Sequence, residues 1–154
     1  MEGYDYPAGD VLTQFLQRHY PERTDRESGI IRDWLQQHVG EYDRFSFSVR
    51  VGEGQTPNPE DLPGVQRSVA FSSKKRIDVL AWQGAQPTIV EVKERVTPAV
   101  LGQLLTYRQL FLEENPDALD PFLVAIGRYS DPDTIRALGA QGITVHLYEL
   151  ADSA

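Results

Sequence analysis

Two apolar runs, residues 77–82 and 88–93, lie on either side of Gly84-Ala85. A glycine at the first of two turn positions suits a type II′ hairpin, whose twist matches that of the strands it joins. A two-residue turn leaves one pairing: Gln83 opposite Gln86, Leu80 opposite Ile89, and Asp78 opposite Glu91. Opposed residues share a face of the sheet, and so do residues two apart along one strand. Asp78, Glu91 and Lys93 are therefore expected to meet on one side, with Val79, Val90 and Val92 on the other.

Like charges directly opposite each other repel, so such a pair persists readily when a cation lies between its members. Carboxylate oxygens are hard ligands that select magnesium or manganese over zinc. A metal held there polarises a phosphodiester and lowers the pKa of a bound water. A lysine two residues on is placed to orient that water or to stabilise the developing charge. The alternative is a solvated strand face carrying an ordinary ladder of charges.

The hairpin sits in an alternation of helical and strand patterns. Asp10 can cap a short helix over Val11, Leu12, Phe15 and Leu16 that ends near Pro21. A second helix begins at Thr24, buries Ile30, Ile31, Trp34, Leu35 and Val39, and ends at Gly40. Phe45, Phe47, Val49 and Val51 alternate with polar residues as in a half-buried strand. Residues 52–64, with three prolines, three glycines and three acids, read as a flexible loop. Residues 68–71 read as strand running on into 77–82. Thr97-Pro98 opens a helix to about Glu114, residues 122–126 form a strand covered on both faces, and Asp131-Pro132 starts a helix closed by Gly142. Residues 143–147 complete the sheet. The expected order is ααβββαβαβ: one α/β domain over residues 1–154, a mixed sheet with helices on both faces.

With no cysteine, disulfides, thiolate zinc sites and cysteine nucleophiles are excluded. The first ten residues carry acids and a proline and do not read as a signal peptide, and no stretch approaches the roughly 18 apolar residues of a membrane span. The cytoplasm is the expected compartment. The net charge of −8 argues against a generic nucleic-acid binder. Yet residues 65–108 hold seven bases (Arg67, Lys74, Lys75, Arg76, Lys93, Arg95, Arg108) against Asp78, Glu91 and Glu94, so this stretch is +4 and the remainder −12. A local basic surface around the hairpin can hold a phosphate backbone. Lys74, Lys75 and Arg76 read either as phosphate contacts close to the metal or as a sheet edge protected by charge, and Arg95 and Arg108 stand in the same position. His19, His38 and His146 show no metal spacing, and Trp34 and Trp82 read as core.

Ile77-Asp78, twelve intervening residues and Glu91-Val92-Lys93 resemble the bipartite signature of the PD-(D/E)XK nuclease superfamily, the restriction-endonuclease-like fold, in its form without the proline. Gln103-Leu104-Leu105-Thr106-Tyr107 on the following helix is similar to the QxxxY motif of the RecB-like branch, and residues four apart do share a helix face. The resemblance covers about residues 24–148. It implies a metal-dependent deoxyribonuclease: Asp78 and Glu91 as Mg2+ ligands (Mn2+ substituting), Lys93 as the catalytic lysine, and Gln103 and Tyr107 contacting substrate or ordering the site. The family often carries a glutamate on its first core helix that reaches the metal. Glu27 falls on the same face as Ile30, Ile31 and Trp34, but Thr24-Asp25-Arg26-Glu27 also matches a capping box. The expected partner is DNA, and cutting both strands of a duplex favours a symmetric dimer. The competing expectation is an inactive nuclease-fold module that serves binding or assembly in a larger repair, defence or viral complex.

Overall fold

Six strands form one sheet in chain order: β1 (Glu2–Pro7), β2 (Arg44–Val51), β3 (Lys75–Gln83), β4 (Gln86–Val92), β5 (Phe122–Gly127) and β6 (Ile143–Leu147). The computed structural model describes residues 2–7 and 20–150. β1 to β4 pair antiparallel, whereas β4–β5 and β5–β6 pair parallel. A parallel connection needs a crossover. Helices α3 (Ala99–Glu114) and α4 (Pro132–Ala140) supply the two crossovers, while α1 (Asp25–His38) precedes β2 and α2 (Pro63–Ser72) joins β2 to β3. The expected mixed sheet with helices on both faces is the architecture of the chain.

Each face of the sheet has its own core. Ile30, Ile31, Trp34 and Leu35 of α1 pack on Phe45, Phe47, Val79 and Val90. Leu104 and Phe111 of α3, with Leu138 of α4, pack on Val49, Ile77, Leu80 and Ile89. β2 crosses from one core to the other, because Phe47 belongs to the α1 side and Val49 to the α3 side. The crossing is at Ser48, a non-glycine residue with φ +52, where the β1–β2 register also slips. The flanking pairs, Phe47 with Val79 and Val49 with Ile77, leave Ser48 opposite Asp78.

Residues 68–71 are not strand: they lie in α2, which begins with Pro63 in its first turn and buries none of its side chains. Without a buried face this helix carries no apolar period, and Val65, Val69 and Phe71 imitate a strand. β1 is not predicted by its acids, glycine and proline; it is an edge strand along β2. Thr97 does not cap α3 with its side chain; Pro98 is the cap residue, and the Thr97 carbonyl accepts from the Val100 amide at 3.0 Å. Asp131 does cap α4, its carboxylate accepting from the Thr134 amide at 2.9 Å. The helix expected to begin at Asp10, and His19, lie outside the described residues. No helix among the described residues is long and apolar enough to cross a membrane.

Candidate active site

The β3–β4 turn has Gly84 at φ +58 and Ala85 outside the positive-φ region, as a type II′ turn requires. Pairing runs from Gln83–Gln86 through Leu80–Ile89 to Val79–Val90 and then stops. One residue further the strands part. The Val92 amide, which a continuing ladder would have bonded to β3 backbone, donates instead to Asp78 Oδ2 at 2.8 Å. Asp78 and Glu91 occupy this gap, each only 3% exposed. Lys93 follows at the end of β4, its amide tied to the Ile126 carbonyl of β5 at 3.0 Å. Its ammonium reaches into the opening 3.6 Å from Glu91 Oε1, while Glu91 Oε2 is buried without a partner.

Arg23, which sequence reasoning passes over, is the nearest cation. It is buried just before the Thr24 cap of α1 and bonds Asp78 Oδ1 through Nη1. The same Nη1 lies 3.2 Å from Glu27 Oε2, and Arg23 Nε and Nη2 are buried without partners. Glu27 shows one half of a capping box and an ion pair with Arg23. Its amide donates to Thr24 Oγ1 at 3.1 Å, as in a capping box, and its carboxylate turns toward Asp78 by way of Arg23.

Burial dominates the electrostatics. It pushes the Glu91 carboxyl up to about 9, and the adjacent Asp78 charge adds to the effect. Burial raises Asp78 as well, opposed by the Arg23 guanidinium and the Val92 N–H. Asp78 has an ion pair and an amide to support its charge, whereas Glu91 has an oxygen with nothing. Burial thus drives both carboxyls toward the protonated form, and Glu91 has less to oppose it. The Tyr107 phenol is raised too, first by burial and then by Glu91 and Asp78, so it remains a donor.

These groups open into a cavity of about 450 Å³ that α3 closes with Gln103 and Tyr107. Its wall carries six cationic side chains (Arg23, Arg50, Lys74, Lys75, Arg76, Lys93) against the carboxyls of Glu27, Asp78 and Glu91. Lys74, Lys75 and Arg76 are thus brought to the site, and Arg50 joins them unanticipated. Arg95 and Arg108 do not line the cavity; Arg95 lies over the Tyr129 ring, 5.9 Å from its centre. His38 and His146, distant in sequence, meet with ring centres 4.8 Å apart, away from this cavity. Trp34 is core, while Trp82 is half-buried beneath the Arg44 guanidinium.

The donor set suits a hard divalent ion. Asp78 and Glu91 offer carboxylate oxygens from adjacent strands, and the unpartnered Glu91 Oε2 is a buried acceptor lacking a cation. Mg2+ keeps several waters and commonly takes only one or two protein carboxylates. Among the described residues no group of three or more His, Asp or Glu side chains is arranged to hold a metal, so the remaining ligands must come from water or substrate. Arg23, already bonded to Asp78 Oδ1, would compete with such an ion for that oxygen.

No protein-family model matches the chain, and no curated protein matches it. Among solved structures it is similar to a repair endonuclease from Pyrococcus abyssi, with 16% identity over 85% of this chain and 49% of that one, TM-score 0.43. It is also similar to EndoMS in a dsDNA complex, with 15% identity over 88% of this chain and 50% of that one, TM-score 0.44. The chain spans about half the length of these structures.

Proposed function

We propose that the chain is a metal-dependent nuclease that hydrolyses DNA phosphodiester bonds, with Asp78 and Glu91 holding Mg2+ and Lys93 assisting the attacking water. The observation that carries this reading is the buried carboxyl pair in the hairpin gap, one oxygen unpartnered, beside a wall of six cations. When bound, the ion supplies Lewis-acid polarisation of the phosphodiester and a field that favours hydroxide over water. The chain's own groups do the rest. Lys74, Lys75 and Arg76 attract and position the phosphate backbone without reading sequence. Lys93, its backbone tied to β5 and its ammonium 3.6 Å from Glu91 at the cavity, would orient the attacking water or offset the negative charge that develops on the phosphoryl oxygens. Tyr107 stays protonated and donates; Gln103 brings a buried, unpartnered Oε1 to the same wall.

The test is a cleavage panel of labelled single-stranded, duplex and branched DNA with Mg2+ or Mn2+. Lys93→Ala keeps both carboxyls, so it should still bind DNA but cleave on the order of 10²-fold more slowly or worse. Equal cleavage by wild type and Lys93→Ala refutes the assignment. Mg2+ or Mn2+ should also raise the melting temperature, since a ligand of the native state alone stabilises it, and Asp78→Asn should abolish that rise.

One observation favours a second reading. Arg23 already places a cation on Asp78, which suits a nuclease-fold module that has exchanged metal chemistry for binding or assembly. That reading requires no melting-temperature response to either metal and no effect of Lys93→Ala on partner binding.

A further inference from the structure

Beside the cavity that holds Asp78 and Glu91 lies a second one of about 310 Å³, lined by Gly3, Tyr4, Glu22, Ser48, Arg50 and Phe71. Its volume is at the lower end of the range for small-ligand sites and far below what a folded partner's surface would fill. Two aromatic rings are open to solvent at this cavity, Tyr4 and Phe71 each being 46% exposed. Arg50 lines both cavities, so the two share a wall. Its guanidinium lies over the Phe71 ring, 5.1 Å from the centre, and is held by Glu22 at 2.6 Å.

The backbone of this wall is also unusual. Among the described residues only Glu22 (φ +58) and Ser48 (φ +52) are non-glycine residues at positive φ, and both line this cavity. Such conformations are strained and collect at ligand sites. Ser48 is further fixed by its hydroxyl, which donates to the Pro21 carbonyl at 2.7 Å. At Gly3 the sheet comes close enough that a Cβ would lie 3.0 Å from Val49 Cγ2 and 3.1 Å from the Phe47 carbonyl oxygen.

We infer that this cavity receives one unpaired nucleobase of the strand whose phosphate lies in the neighbouring cavity, so the substrate class is single-stranded or locally unpaired nucleic acid. The identity of the neighbouring strand rests on the nuclease reading; the base pocket rests on its own walls. A base stacks on exposed aromatic rings whatever its sequence, and Arg50 stands where the backbone passes from one cavity to the other. Paired bases have their faces covered by their neighbours, so a duplex enters only by unstacking a nucleotide, at a cost.

The experiment uses the full chain in EDTA and compares anisotropy of a labelled single-stranded oligonucleotide with the same sequence as a blunt duplex. Wild type should prefer the single strand. Phe71→Leu should lose about 10-fold in single-strand affinity and little in duplex affinity, while Phe71→Tyr, which keeps the ring, should retain it. An abasic nucleotide stepped along the strand should weaken wild type at one position and leave Phe71→Leu indifferent there, the signature of a coupled pair. Absence of such a position, or equal single-strand affinity of wild type and Phe71→Leu, overturns the inference. The nuclease reading is judged separately by metal-dependent cleavage: Phe71-dependent binding without cleavage supports the pocket while removing the nuclease. Cleavage of duplex with no dependence on Phe71 overturns the pocket alone.

Discussion

Replacing Glu91 by glutamine should make the metal-free protein more stable, by an amount that grows with pH. The Glu91 carboxyl moves from an ordinary value of 4.5 to about 9 on folding, chiefly through burial. The folded chain therefore holds a proton that the unfolded chain releases throughout this window. Stability falls as pH rises wherever the native state binds the extra proton, so Glu91 contributes its full share below about pH 4.5 and loses it progressively up to about pH 9. The slope is about 1.4 kcal/mol per pH unit. At pH 7 the accumulated loss is about 3 kcal/mol, a figure set by the distance from 4.5 and unaffected by the exact folded value so long as that exceeds 7. Because the side chain is only 3% exposed, solvent does little to reduce it. Glutamine has the same shape and no proton to lose. Its amide brings a second donor that must find an acceptor, which offsets the gain by about 1–3 kcal/mol if it fails.

The slope is thus a cleaner readout than the absolute value. Urea unfolding in EDTA at intervals from pH 5.5 to 8.5 should show the difference between Glu91→Gln and wild type rising by about 1.4 kcal/mol per unit. A difference that stays level across the range means that Glu91 is ionised in the folded protein, and it refutes the burial-driven rise of this carboxyl.

Arg23→Gln strips the buried cation from Asp78 and should cost about 3–5 kcal/mol in EDTA, as removal of one member of a buried pair does. Manganese should restore part of that loss and bind the variant more tightly than wild type in calorimetry; weaker binding would show that Arg23 helps the ion and does not compete with it. Gly127→Ala places a Cβ against the Lys93 carbonyl oxygen, with Val96 Cγ2 also in the way at 2.8 Å. It should cost about 1–3 kcal/mol by overpacking and slow cleavage by shifting Lys93, to be read from unfolding and cleavage together; a loss of stability with unchanged cleavage separates Lys93 from this contact.

The parts of the fold that are legible in the sequence are those whose signal is local. Gly84 fixes the turn, the turn fixes the register, and the register brings Asp78 to Glu91 without reference to anything else in the chain. Asp131-Pro132 and Thr24 start helices through contacts three residues away. What escapes depends on distant or absent partners. Arg23 looks like a loop residue before a cap, because the carboxylate it meets is 55 residues further on. Arg50 looks like the polar half of a strand alternation, and nothing nearby reveals that Ser48 breaks that alternation. α2 buries nothing, so it carries no period to read, and β1 has only Tyr4 and Tyr6 to mark it as strand. The opening of the ladder at Val79–Val90 is also out of reach. It follows from a side chain outcompeting backbone for the Val92 amide.

That substitution of side chain for backbone means position 78 serves the sheet as well as the chemistry. One carboxylate oxygen takes the amide that the missing rung leaves behind, and the other faces the cation. Alanine would delete both roles at once and leave a donor orphaned in the interior, so a dead Asp78→Ala protein says nothing about hydrolysis. Asparagine keeps an acceptor for the amide and removes only the charge, at the cost of leaving the buried Arg23 guanidinium without its counter-ion. The same asymmetry bears on descent. In a lineage that abandoned catalysis, selection for the fold alone would still exclude alanine at this position, would admit asparagine only together with loss of the buried Arg23 charge, and would release Lys93 altogether. Retention of Asp78 in distant copies of this domain is therefore weak testimony about activity, and the fate of Lys93 is the better witness.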